Sequence, residues 1–160
     1  MKYNMKSKRY TGTTLNEVML AILVVTISII GGISYRYYSA LDGKRASMYS
    51  TAARAALLLC ESFRGAAGIV SYDPATHLSS DDFVITADSG PEAPGGFTSI
   101  GSYKVILNGV TCYATLSYQD VQPGLRALNV TVAYQKRDQA VTGLEDMDNT
   151  FALTTYVSSL

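Results

Sequence analysis

LNEVMLAILVVTISIIGGI, residues 15–33, decides how the rest of this chain is read. Within it, residues 18–30 form an unbroken apolar run. Its only polar members are Thr26 and Ser28, whose hydroxyls can bond to the preceding turn of a helix. At 1.5 Å per helical residue the whole stretch spans roughly 28 Å, close to the hydrocarbon thickness of a bilayer. A soluble core helix is rarely apolar on every face, so the sequence predicts a membrane-crossing segment.

The flanks give that segment a direction. Lys2, Lys6, Lys8 and Arg9 precede it without a single acid, which holds that end in the cytoplasm. Tyr35, Arg36, Tyr37 and Tyr38 follow it as an amphipathic collar for the opposite interface. A secretory signal peptide shares the basic front and the apolar run. Two features oppose that alternative: helix-favouring sequence continues past the run, and Glu17 stands at its front. A carboxylate at mid-membrane costs about 2.5 to 3.5 kcal/mol, and less near the interface, so Glu17 calls for a partner.

Gly12, Thr13, Thr14, Leu15, Asn16, Glu17 and Val18 together resemble the processing site of type IV prepilins and type II secretion pseudopilins. A short basic leader ends in glycine, and glutamate is the fifth residue after it. An apolar helix follows, and an amphipathic helix continues beyond that. The resemblance implies cleavage between Gly12 and Thr13 by a membrane-embedded prepilin peptidase, then N-methylation of Thr13. Thr13 stands where the family usually has phenylalanine or methionine. Cleavage would free an α-amine of pKa near 7.7 to 8.0, mostly cationic at neutral pH, four residues from the Glu17 anion. In the family that glutamate pairs with the amine of a neighbouring subunit, and this filament-assembly role passes to Glu17. The implied partners are other pilins or pseudopilins, the peptidase, an inner-membrane assembly platform and membrane lipid.

Length and composition agree with a small anchored domain. The chain has 160 residues, 48% hydrophobic and 16% charged, which suits neither a disordered chain nor a long solvated coiled coil. Thirteen basic and 13 acidic residues cancel, so bulk charge makes no case for nucleic acid. Two cysteines and one histidine do not make a structural zinc site, and no cofactor or metal is expected. The organisation read from the sequence is a leader at 1–12, a transmembrane assembly half-helix at 13–35, an amphipathic half-helix at 36–66, and an antiparallel β head with loops at 67–160.

In the second half-helix, Tyr38, Leu41, Met48, Tyr49, Ala52, Ala53, Ala56, Leu59, Cys60 and Phe63 recur near the 3.6-residue period, a stripe facing a core. Gly31 and Gly32 mark the place for local bending, and Gly65 and Gly68 supply the stop. Residues 69–100 read as loops around one short strand at Phe83–Ala87. Then YKVILNGVTCYATLSY, residues 103–118, shows two alternating runs about Asn108 and Gly109, a strong hairpin signal. Closing it pairs Leu107 with Val110, Val105 with Cys112 and Tyr103 with Ala114. Leu128, Val130, Val132 and Tyr134 mark another strand, as do Phe151, Leu153 and Val157. A helix stripe and an antiparallel sheet with one apolar face predict an α+β, pilin-like fold. The C-terminal pattern resembles the minor subunits of these machines, especially I-type pseudopilins and V-type minor pilins.

The remaining chemistry-bearing residues are few. His77 lies in SYDPATHLSSDD with Ser79, Ser80, Asp81 and Asp82, where composition alone explains such residues, and no catalytic site is assigned. Glu145, Asp146, Asp148 and Asn149 read as a solvated acidic turn in preference to a calcium loop, because the twelve-residue ligand spacing is missing. Cys60 and Cys112 fall on facing apolar surfaces of one core. They are a candidate disulfide, with two reduced cysteines packed as small hydrophobes as the other reading. The function expected is a structural subunit of a type II secretion system or type IV pilus filament. The alternative is a non-polymerising single-pass membrane protein with an outer ligand- or DNA-binding domain.

Overall fold

The computed structural model describes residues 14–135 and 141–158. The leader, Gly12 and Thr13 lie outside the described residues. The order is α1 (Leu15–Gly65), α2 (Pro74–Leu78), β1 (Phe83–Ala87), β2 (Thr98–Leu107), β3 (Val110–Gln122), β4 (Leu125–Tyr134), a 3₁₀ turn (Leu144–Asp146) and β5 (Asn149–Ser158). The fold is α+β: a long N-terminal helix packed on a five-stranded antiparallel sheet of order β1-β2-β3-β4-β5. Two compact units divide between Leu41 and Asp42, inside α1.

The first unit is helix. Thr26 Oγ1 donates to Ile22 O and Ser28 Oγ to Val24 O, each at 2.8 Å, so the two hydroxyls in the apolar run are satisfied on the preceding turn. Every residue from Leu15 to Ile33 is exposed. An 18-residue window of mean hydropathy 2.3 is long and apolar enough to cross a membrane. Gly31 and Gly32 sit within continuous helix, with open space where a Cβ would lie.

In the second unit α1 buries Ala52, Ala55, Ala56, Leu59, Cys60 and Phe63. The buried stripe is shorter than the periodicity predicts: Tyr38 and Tyr49 are exposed, and Ala55 joins it. Facing the stripe are Tyr103, Val105, Leu107, Cys112, Ala114, Leu116, Leu128, Val130, Val132 and Tyr134. Three alanines on α1 let the helix backbone come close, and Leu59 and Phe63 fill the remaining depth, worth about 1.5–3 kcal/mol each.

The β2–β3 hairpin has the predicted register, Leu107 with Val110, Val105 with Cys112 and Tyr103 with Ala114. Asn108 (φ 51°) and Gly109 (φ 76°) both take the left-handed conformation that a two-residue type I′ turn demands. Residues 69–100 hold more structure than loops around one strand: α2 and the start of β2 also lie there. Asp73 Oδ1 accepts from Ala75 N at 3.0 Å and Pro74 opens the helix, a local N-terminal signal within a proline-rich stretch.

The sheet is buried on both faces at its centre, where the sequence suggested one. Thr115, Ser117, Asn129 and Thr131 are buried on the face away from α1, together with Tyr113, Ala127 and Ala133. Residues 88–97 pass along β3 as a strap. Asp88 N donates to Ser102 O (3.1 Å), and Thr115 Oγ1 donates to Pro91 O (2.6 Å). Gly90 is required there, since a Cβ would collide with Thr115 Oγ1 and the backbone of Ala114. The prolines and glycines of SGPEAPGG thus form a close backbone cover over a polar row.

Candidate functional site

At the start of α1, Thr14 is the residue before the first helical turn, and its carbonyl accepts from Val18 N at 3.3 Å. Glu17, in the first turn, turns its carboxylate back. Oε2 accepts from Thr14 N at 3.0 Å and from Thr14 Oγ1 at 3.4 Å. This is the carboxylate half of a capping box, satisfying a backbone N–H that the helix itself leaves without a partner. A carboxylate in the first turn also complements the positive end of the helix dipole. Glu17 heads an apolar groove lined by Asn16, Leu20, Ala21, Val24 and Val25. The chain therefore holds its one apolar-boundary acid towards the N-terminal end, where cleavage at Gly12 and Thr13 would place the new amine.

The other end of α1 stops by geometry that periodicity does not reveal. Gly68 N donates to Phe63 O (3.1 Å) and Ala67 N to Arg64 O (2.9 Å), a Schellman pair. Ala67 occupies the left-handed position at φ 53°, a place glycine usually takes, and Gly68 follows at φ 65°. A Cβ on Gly68 would stand 2.7 Å from Leu128 Cδ2. Arg126 ties this turn to the sheet. Its Nη1 donates to Gly68 O (2.8 Å), its Nε and Nη2 bind the Asp120 carboxylate (2.6 and 3.1 Å), and its guanidinium lies 4.4 Å from the Tyr118 ring centre. Hydrogen bonding to Arg126 holds the Asp120 carboxyl below its usual range.

Cys60 and Cys112 are both buried in the same core, as the hairpin and the stripe require, and both are free thiols, so the candidate disulfide is not formed in this structure. Burial pushes both thiols up, Cys112 to about 12. They are held as neutral hydrophobes and not as the thiolates that disulfide exchange uses.

His77 is exposed on α2 and stacks on Tyr72, with ring centres 5.6 Å apart and planes 6° apart; Tyr72 stacks in turn on Phe63. Tyr72 Oη hydrogen-bonds Ser62 Oγ beside a small cavity of about 260 Å³ that His77 also lines. Ser79 and Ser80 are spent on the sheet edge. Ile85 N donates to Ser79 Oγ (3.3 Å), and Ser80 exchanges backbone hydrogen bonds with Phe83. In the acidic turn, Asp146 Oδ2 accepts from Thr142 N (2.7 Å), Thr142 Oγ1 (2.8 Å) and Gly143 N (3.3 Å). Those bonds, the Thr142 backbone foremost, hold its carboxyl below the usual range. Among the described residues no three His, Cys, Asp or Glu side chains are grouped to hold a metal ion.

Comparison with protein-family models, curated proteins and solved structures finds no match for this chain.

Proposed function

We propose that the chain is a minor pilin or pseudopilin, a structural subunit of a type II secretion or type IV pilus filament. It would sit in a bacterial inner membrane with its N-terminus cytoplasmic and its head periplasmic or extracellular. It has no catalytic role in this reading. The observation that carries the proposal is the combination at the front of α1. An apolar helix exposed on every side begins one turn before a carboxylate that is turned back towards the prepilin-like cleavage position.

The mechanism follows from the charges. The helix front costs most in lipid where Glu17 stands, and a cationic amine from a neighbouring subunit's Thr13 offsets that cost. Because the pair forms only between subunits at matching height, it sets register as well as attraction. Before assembly, Thr14 supplies the carboxylate with two donors of its own chain.

Glu17→Gln separates the two uses of this side chain, since glutamine can still reach back to the Thr14 N–H but carries no charge. Glu17→Gln and Glu17→Ala should both insert and fold, and both should be lost from sheared filaments. Incorporation of Glu17→Gln at the wild-type level would remove charge pairing from the account.

A further inference from the structure

The two edges of the sheet are finished differently. Outside β1, Ser80 N donates to Phe83 O (2.8 Å), Phe83 N donates to Ser80 O (3.2 Å), and Ser79 Oγ takes up the Ile85 backbone. That edge is capped by its own chain. Outside β5, no backbone hydrogen bond is made among the described residues. β5 runs in unbroken register with β4 from Leu125 opposite Ser158 to Tyr134 opposite Asn149. Its sequence, NTFALTTYVS, contains no charge and no proline. Proteins usually blunt an edge of this length with lysine, proline or a bulge, and β5 carries none of these.

The row next to the core is also incomplete. Phe151, Leu153 and Val157 pack against the buried cluster but remain partly exposed, while Thr150, Ala152, Thr154 and Tyr156 alternate with them on the other face. An added strand would complete the ladder and extend the core row together.

A second copy does not fit. Its β1 edge is already capped. Antiparallel pairing of two β5 edges about an axis normal to the sheet reverses every direction in the sheet plane. The α1 turns packed on the two sheets would then run in opposite senses, which a shared membrane orientation forbids. Turning the copy about the strand direction instead sets its Phe151 row on the opposite face. We propose that the β5 edge docks an extended, uncharged strand of a different polypeptide, with apolar residues at alternate positions beside Phe151, Leu153 and Val157. Main-chain hydrogen bonds supply the affinity and the alternating row the selectivity. The choice of a different polypeptide rests on the membrane-anchored reading above.

The test is residue-resolved amide hydrogen exchange on the full chain in detergent, with and without a synthetic peptide LRALNVTVAY. This is the sequence of β4, whose alternation already matches β5. Without peptide, the β5 amides not bonded to β4 should exchange as open backbone. With peptide they should slow by at least about tenfold. Ala152→Lys and Tyr156→Lys, both at exposed positions, should each abolish that slowing while the β4-bonded amides stay protected. No effect of the peptide would overturn the proposal, as would outward amides already slow at every protein concentration. Slowing that appears with rising protein concentration alone would show that a second copy takes the edge, and would overturn the assignment to a different chain. None of these readouts depends on cleavage at Gly12 or on Glu17, so failure here is distinguishable from failure of the filament reading.

Discussion

Two stretches of one helix treat hydrophobicity in opposite ways. Between Leu15 and Ile33 nearly every side chain is apolar and every one is exposed; between Ala52 and Phe63 six side chains are buried on one face against the sheet. The second stretch has found its partner inside the chain, and its apolar residues are sorted to one side by the helical period. The first has no such sorting, because lipid or neighbouring helices surround a helix and do not flank it. The lesson is that the distribution of apolar residues around the helix, more than their number, tells which kind of partner each stretch needs.

The sharpest way to break this comparison is to truncate one large side chain in each stretch. Phe63→Ala should cost the head about 3–5 kcal/mol, the loss expected for a fully buried aromatic side chain. Leu20→Ala, at a position 66% exposed, should change head stability by less than about 0.5 kcal/mol. Denaturant unfolding in detergent, followed by tyrosine fluorescence, measures both. A comparable loss from Leu20→Ala would mean that the first stretch packs on the head.

A smaller effect sharpens the account of where the sorted stretch ends. Gly68→Ala places a methyl group against Leu128 at a left-handed backbone position, and should destabilise by about 1–3 kcal/mol. Smallest, and opposite in sign, is Ala67→Gly. It relieves a non-glycine residue at φ 53° and should stabilise by roughly 0.5–1 kcal/mol, read as a rise in the unfolding midpoint. A loss of stability in Ala67→Gly would show that the Schellman turn is not what stops α1.

What could be read from the sequence was local or one-dimensional. The membrane-crossing composition of residues 15–33 needs no partner to be recognised. The Asn108 and Gly109 hairpin follows from the backbone conformation of two residues, and its register fixed which face Cys112 occupies. The features missed join residues far apart or lack a period. Arg126 reaches Gly68 across 58 positions, and no pattern marks it beforehand. The strap over Thr115 was hidden in a stretch whose prolines and glycines say only that it is not helix. The capped β1 edge rests on two serines that look like any loop serines. At the helix front, Glu17 was legible from its spacing, but its hydrogen bonds to Thr14 needed the folded first turn. The stripe on α1 was read too long, because Tyr38 and Tyr49 keep the period without being buried.

The central claim is that the exposed stretch is the assembly helix of a processed filament subunit, and its most direct test is the mass of the N-terminal peptide from membrane-purified protein. The account predicts an N-terminus at Thr13, with or without a methyl group. An N-terminus near residues 35–41, which would remove the apolar stretch as a signal peptide, would contradict it.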